Sequence, residues 1–528
     1  MTETADRLLG QAPAGRRPAR PMLVGGAWTV AVLAAFAAYL RLASTRAVNS
    51  DGAAQALQAW DMVHGNLLLS GWKTSDVSFY TTELPQYMLV ELVHGLNQNV
   101  VTIATAMTYT LVLLFVALVA KGTATGWPAV TRAAIGVGIM LAPQLASGTN
   151  VLLSSPDHLG TSVPLLLVLL ILDRARQPRW WLPVVVSLLL AWAQLADSVV
   201  LVAGVIPLIV VCAFRVARGG RAFASRRYEI ALAVGALVAV GVAQAAYHVI
   251  HAAGGYSERP VGTELAPLSE IFGHNLSIAA QCLLLLPGAD FLGLPAGAST
   301  FFVGLHLVGV AVAAAGIAVA AWRFGRRDAD LVSQLLLVGI VVNFVSFVAT
   351  THVYNVASAR EIAPVLPFAA VLAGREIAPH LRRAGAAALV VVLAGYLAGL
   401  GLELTAPTAP PQAAPLTSWL ESHPLGTGLS GYWEASVVTL TSGGRVAVRP
   451  VAVANHRVVF YWAEIKGDWY DPARSTADFV VLFPGISGYP GFTDRQAVVA
   501  TFGKPSRTYH VGQYTILWWP KNLLADVH

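Results

Sequence analysis

The sequence predicts a mainly α protein: a polytopic membrane helix bundle of about 11 transmembrane helices that carries a C-terminal extracytoplasmic α/β domain. Three observations lead there. Of 528 residues, 56% are hydrophobic and only 12% charged, and the mean hydropathy of +0.63 is far from a soluble domain's balance. The apolar residues fall in runs of near-spanning length with arginines clustered between alternate runs. After the last run the composition becomes that of an ordinary globular domain.

In order, the runs are Met22 to Leu42, Val100 to Ala120, Ala133 to Ala146, Leu159 to Leu172, Trp181 to Leu195, Val199 to Phe214, Ile230 to Ile250, Phe302 to Trp322, Leu331 to Thr350, Ile362 to Gly374 and Ala386 to Leu404. Several are shorter than the roughly 20 residues of a lone span and need neighbours to cross. The first follows Arg16, Arg17 and Arg20 and precedes no convincing small-x-small cleavage site, so it reads as an uncleaved signal anchor behind a cytoplasmic tail, residues 1–21.

With that tail inside, one set of loops carries Lys121 and Arg132; Arg174, Arg176 and Arg179; Arg215, Arg218, Arg221, Arg226 and Arg227; Arg323, Arg326 and Arg327; then Arg375, Arg382 and Arg383. The opposite loops hold little beyond Arg46, Lys73, Arg259 and Arg360. This is the positive-inside pattern, and it also accounts for the net charge of +6, so a nucleic-acid partner is excluded. Cys212 and Cys282 fall on opposite sides of the bilayer and do not pair. The wealth of alanine, valine and arginine suits a bacterial plasma membrane.

Two outside loops are long, about 43–99 and 252–300, within a transmembrane region of residues 22–404. The second holds "GYSERPVGTELAP" and "LSIAAQCLLLLPGADFL", with the amphipathic content of a lid. Residues 405–415 are a stiff proline-rich linker from which an external domain, residues 416–528, hangs. In it, "SVVTLTS", "RVAVRPVAV", "RVVFYWAE" and "DFVVLF" read as strands, Gly443-Gly444 as a hairpin turn, and "RQAVVATFG" as a helix ending at Gly503. No glycine-rich nucleotide-binding pattern and no internal repeat is present.

The first outside loop holds the densest chemistry. From Ala53 to His64 the apolar residues Ala53, Ala56, Leu57, Trp60 and Val63 share one face and Gln55, Gln58 and Asp61 another, closed by Gly65. That is an amphipathic helix, expected in the membrane interface with Ser50 or Asp51 as its cap. Asp76, Lys73, Glu83 and Pro85 follow before the chain re-enters the bilayer. Acids and a cation crowded at a membrane surface suit a phosphate-bearing amphiphile, although each acid also has an ordinary use as a turn cap.

A signal anchor, then "NSDGAAQALQAWDM", then "FYTTELPQY", some ten further spans and an external C-terminal domain together resemble the GT-C superfamily of glycosyltransferases. More narrowly the chain looks like the bacterial protein-mannosyltransferase and aminoarabinose-transferase branch. The resemblance implies a sugar donor on a polyprenyl phosphate, a cell-envelope acceptor, a first-loop carboxylate as general base or acceptor-positioning group, and basic residues of later outside loops on the phosphate. Two positions depart from the common pattern. The usual pair of adjacent acids is here Asp51 followed by Gly52, and His-Pro-Pro is replaced by Glu83-Leu84-Pro85.

Such a transfer needs an acceptor oxygen relieved of its proton and a leaving phosphate whose charge is neutralised. Asp51 is the candidate base, with Asp76 or Glu83 assisting. Arg360 in "THVYNVASAREIAP" is the candidate phosphate ligand, since it is a cation at the outer lip of the tenth run, with Glu361 beside it as an alternative partner. Lys73 is the second cation. Asp157 and His158 in "SSPDHLGTSVP", with His352 and Tyr354, are further substrate-binding candidates at the same lip, and Asp197 nearly interrupts two apolar runs there.

No metal is assigned, because no His-x-x-x-His pair shares a helix face with a carboxylate; a divalent cation is left open by the resemblance alone. The aromatics of the external domain, Tyr432, Trp433, Tyr461, Trp462, Trp469, Tyr470, Tyr509, Tyr514, Trp518 and Trp519, suit sugar stacking, but adjacent pairs on a strand point to opposite faces, which favours core packing. Two other readings stand beside the enzyme. One is a transporter or flippase of lipid-linked saccharides, which would hold its essential charges near the bilayer midplane. The other is a non-catalytic envelope scaffold with a sugar-binding domain.

Overall fold

The computed structural model describes residues 19–527 apart from 155, 176, 219–222, 261, 327–328 and 487–488. Most of the 1–21 tail, with Arg16 and Arg17, and also Arg176, Arg221 and Arg327, lies outside the described residues. A helix occupies each of the apolar runs. The third shifts from the expected Ala133 to Ala146 to Gly126–Met140, because Pro143 ends it early. Among the described residues six helices are long and apolar enough to cross a membrane, or seven if the bent pair Val356–Ile362 and Val365–His380, meeting at 62°, forms one span. Pro364 and Pro367 sit at that bend.

The bundle opens with α1, Ala19–Ala43, and the first loop then folds into α2, Ser50–Val63, and α3, Leu84–His94, before α4, Asn99–Lys121. The expected cap of α2 is corrected by one position: Asn49 caps it, its side chain accepting from the Gly52 N–H, and Asp51 stands in the first turn. Nor does α2 lie on the surface. Its polar face is covered as fully as its apolar one, Gln55 and Gln58 being 3% and 0% exposed. The helix that shows an apolar face outward is α3, where Leu89, Leu92 and Val93 are exposed.

What covers α2 is the C-terminal domain. The domain is built on a sheet of β3 Thr427–Gly431, β4 Ala447–Ala454, β5 Arg457–Phe460, β7 Phe479–Ile486, β9 Arg507–Val511 and β10 Tyr514–Trp518 in the order β5-β4-β3-β7-β10-β9, with β8 Tyr489–Phe492 paired to β7. Successive residues alternate faces. Phe479, Val481, Phe483 and Ile516 face the first loop's core, while Val480, Leu482 and Leu517 face a second core. Trp518 and Trp519 divide in the same way, as expected for a strand pair.

One expected strand is a helix. "SVVTLTS" belongs to Tyr432–Thr441, buried between β4 and α2, so its β-branched content is overridden by packing. Thr439 Oγ1 fastens this helix by donating to Val448 O at 3.1 Å and accepting from Val448 N at 3.0 Å. Gly443 and Gly444 do adopt positive φ, 60° and 82°, but they join this helix to β4 rather than two strands. The proline-rich linker is not a free tether either, because Ala409 N donates to Ser44 O at 2.9 Å and Tyr514 OH to Gln412 O at 3.3 Å.

A small sheet ties three distant segments together. Here β1, Trp72–Thr74 of the first loop, runs between β2, Ser257–Glu258 of the second loop, and β6, Ile465–Lys466 of the C-terminal domain. Beside it, Asp61 accepts from Lys466 Nζ at 2.8 Å, Trp72 Nε1 at 2.8 Å and Asn66 Nδ2 at 2.6 Å. The second loop is fastened as well. Ala266 N donates to Ala349 O at 2.9 Å and Thr351 N to Glu264 O at 3.1 Å.

Candidate active site

Where the first loop, the Pro156–His158 loop, the Val356–Ile362 turn and the C-terminal domain meet, they enclose a cavity of about 290 Å³. Asp51, Asp76, Asp157, His158, His352, Tyr354 and Arg360 all line it. Two of the residues named from the sequence do not. Lys73 is an exposed residue of β1. Glu83 is buried outside the lining, 2% exposed, with its Oε1 against Gly160, where a Cβ would come within 1.7 Å. Burial pushes the Glu83 carboxyl up to about 8, so it sits protonated under the loop that carries Asp157 and His158.

Asp51 is held from two sides. Ser50 Oγ donates to Tyr432 O, and Tyr432 OH donates to Asp51 Oδ1 at 2.6 Å. Burial raises the Asp51 pKa, opposed by the nearby Arg360 charge and by the Tyr432 hydrogen bond. The single acid at this point also has a steric reason. A Cβ on Gly52 would lie 2.7 Å from Val101 Cγ1, so the close approach of α2 to α4 excludes a second carboxylate side chain.

Arg360 is positioned by a chain of charges. Asp197, 1% exposed, accepts from Thr161 Oγ1 and Val199 N and pairs with His158 Nδ1 at 2.9 Å. His158 Nε2 meets Glu361 Oε2 at 3.0 Å, and Glu361 Oε1 meets Arg360 Nε at 3.4 Å. Burial alone would lower the His158 pKa, but a carboxylate on each ring nitrogen holds it well above the usual range. His158 is therefore an imidazolium donating from both nitrogens. His352 is fixed by Thr263 Oγ1 at 2.8 Å from its Nε2, which brings the second loop to the cavity rim.

Carboxyls outnumber cations here: Asp51, Asp76, Asp157, Glu361 and Glu464 face Arg360 and His158. Burial pushes Asp157 up to about 8 and Glu464 up to about 7, and it raises Asp76, so several of these groups share protons near neutrality. Among the described residues no three of His, Cys, Asp and Glu converge to hold a metal ion.

Sequence reasoning missed the contribution of the C-terminal domain. Tyr432, Trp433, Tyr461, Trp462 and Glu464 all line the cavity. Tyr461 and Trp462 were expected on opposite faces of a strand, but β5 ends at Phe460 and both belong to the loop beyond it. The available signal was the acid in "YWAE", the one charge in an aromatic-rich stretch. Glu361 and Asp197 were visible as charges in apolar surroundings, but their junction through His158 was not.

Neither a family model nor a curated relative matches the chain. Solved structures do. ArnT from Cupriavidus metallidurans bound to undecaprenyl phosphate matches at 14% identity with a TM-score of 0.57, over 93% of this chain and 98% of that one. Its apo state matches at 13% identity and 0.59, over 94% and 98%. The archaeal oligosaccharyltransferase AglB from Archaeoglobus fulgidus, in complex with an inhibitory peptide and a dolichol-phosphate, matches more weakly, at 13% identity and 0.47 over 86% and 69%. Spanning nearly the whole of both chains, the likeness to ArnT shows that this chain has that fold and bears out, for the fold, the GT-C resemblance read from the first loop.

Proposed function

We propose that this chain is an inverting GT-C glycosyltransferase that moves a hexosyl or pentosyl unit from a polyprenyl-phosphate donor to a cell-envelope acceptor at the outer face of a bacterial plasma membrane. The observation that carries the reading is Asp51, held by Tyr432 and close enough to Arg360 to feel its charge, within one cavity. The undecaprenyl phosphate bound to ArnT supports a lipid-linked donor. In this layout the eleven apolar runs of residues 22–404 all cross the bilayer, the N-terminus is cytoplasmic and the 416–528 domain is external.

In the transfer, ionised Asp51 takes the proton of the acceptor hydroxyl as its oxygen bonds to the anomeric carbon. The bond from that carbon to the phosphate oxygen breaks, and its electron pair leaves with the polyprenyl phosphate. Arg360, braced by Glu361, His158 and Asp197, neutralises that charge. An apolar cavity of about 290 Å³ lined by Leu283, Leu286, Val341, Phe344, Val345 and Val365 suits the prenyl units, and Val365 follows Arg360 by only five residues. Asp76 and Asp157 bind sugar hydroxyls, whereas Glu83 and Lys73 take no direct part. The charged groups gather at one end of the bundle rather than at its middle, which favours surface chemistry over transport.

The test is transfer of labelled sugar from a panel of polyprenyl-phosphate donors to envelope extract by purified wild type and Asp51→Asn. Turnover by the wild type and its loss in the variant, with folding and donor binding kept, is the expected result. Equal behaviour of the two proteins would return Asp51 to a purely structural role.

A further inference from the structure

We propose that the acceptor is a carbohydrate and that the segment Tyr461–Glu464 of the C-terminal domain is the platform on which its sugar ring lies. This rests on the glycosyltransferase reading and narrows it, since a glycan, a lipid and a protein are all envelope acceptors.

The segment is built to hold its shape. It is pinned between the ends of β5 and β6, and Arg259 Nη1 of the second loop donates to Trp462 O at 3.2 Å. Glu464 has φ of 54°, a left-handed backbone that is strained for a non-glycine residue. Its carboxylate holds it there, accepting from Gln58 Nε2 at 2.5 Å, Gln55 Nε2 at 3.4 Å and Ser75 N at 3.1 Å. A strained residue fixed by three contacts at a cavity wall marks a surface whose geometry matters.

What the platform presents is flat rings beside hydrogen-bond acceptors. Tyr461 stacks on Tyr432, centroids 4.5 Å apart and planes within 7°, and Tyr432 in turn holds Asp51. Trp462 borders the cavity and remains 37% exposed, so ring surface is left for a ligand. A sugar asks for this pairing, since its C–H face lies on an aromatic ring while its rim of hydroxyls donates to acids. An acyl chain would meet the acids of this cavity rather than an apolar wall. Asp51 shares the cavity lining with Arg360, Tyr461 and Glu464 and is close enough to each to feel it electrostatically.

The experiment uses full-length protein in lipid nanodiscs and a labelled-sugar polyprenyl phosphate that the wild type turns over. Acceptor probes are hexasaccharides of glucose, mannose and galactose, a serine- and threonine-rich peptide, and a phosphatidylglycerol vesicle. The proposal expects transfer to a saccharide. It also expects Trp462→Ala to raise that acceptor's KM by about three- to tenfold, well beyond any change in the donor KM, with Trp462→Phe recovering most of the loss. Transfer confined to the peptide or the vesicle, hydrolysis of donor with no saccharide used, or a Trp462→Ala effect on donor KM alone would each overturn it. Absence of any Asp51-dependent donor turnover would instead bring down the glycosyltransferase reading, and the platform with it.

Discussion

The two ends of the helix bundle both gather charge, and they handle it in opposite ways. At the end remote from the C-terminal domain a cavity of about 330 Å³ is also present, but Arg323, Asp330, Arg375 and Glu376 around it are paired with one another or with neighbours. Arg375 bridges Asp173 at 2.7 Å and Asp330 at 2.8 Å, Arg323 meets Glu376 at 3.1 Å with Ser333 on its other oxygen, and Arg215 meets Glu229 at 2.8 Å. At the end beside the C-terminal domain, five carboxyls face two cations across an open cavity, and only part of their capacity is used internally. Paired charge is structure; surplus charge around a void is chemistry waiting for a ligand.

The largest effect that tests this contrast is on stability. Arg375→Ala leaves Asp173 buried without its partner and should cost about 3–5 kcal/mol, read as a fall in unfolding temperature, while kcat of the folded fraction is kept. Arg360→Met should do the reverse, lowering kcat by about 100- to 1000-fold with little change in unfolding temperature. If Arg360→Met unfolded the protein as Arg375→Ala does, the distinction between the ends would be lost.

Asp61→Asn comes next. Burial opposes ionisation of Asp61, but the Lys466, Trp72 and Asn66 hydrogen bonds outweigh it and lower its pKa. A lowered acid stabilises above its unfolded pKa and loses that contribution as pH falls through the folded value. The variant should therefore be about 1.5–3 kcal/mol less stable at pH 7, and its deficit should shrink in acid. A deficit equal at pH 7 and pH 3 would contradict this.

The smallest effect is also the sharpest. Asp51 must be ionised to accept a proton, so activity is present above its pKa and lost as pH falls through it, and burial sets that limb above the usual carboxylate range. Tyr432→Phe removes a hydrogen bond that favours the ionised form. It should move the acid limb of kcat to higher pH and lower the plateau by less than about tenfold. A limb that stays in place would mean that Asp51 is not the group titrating.

Much of the helical layout was legible along the chain because membrane proteins write their long apolar helices in hydropathy. Arg360, Asp157 and His158 stood out for the same reason, as charges in apolar surroundings. The first loop was legible in content but not in setting. Gln55, Gln58 and Asp61 look like a solvent face, and they are instead the face that receives Glu464 and Lys466 from more than 400 residues away. The cap was misplaced because Asn49, Ser50 and Asp51 are three capping residues in a row, and only the Asn49 contact to Gly52 N decides among them. Nothing local distinguishes the buried helix of "SVVTLTS" from a strand, since packing against β4 and α2 makes that choice.

The small sheet that joins Trp72–Thr74, Ser257–Glu258 and Ile465–Lys466 has a temporal meaning. Chains emerge from the ribosome N-terminus first, so Asp51 and the membrane helices exist long before Ile465. Until about the last fifth of the chain is made, the cavity lacks the wall that carries Tyr432 and Glu464, with Ser75 waiting for a partner 389 residues downstream. Under the proposed function, synthesis itself thus acts as a safety catch, so that a half-made chain holds no complete site with which to squander a lipid-linked sugar.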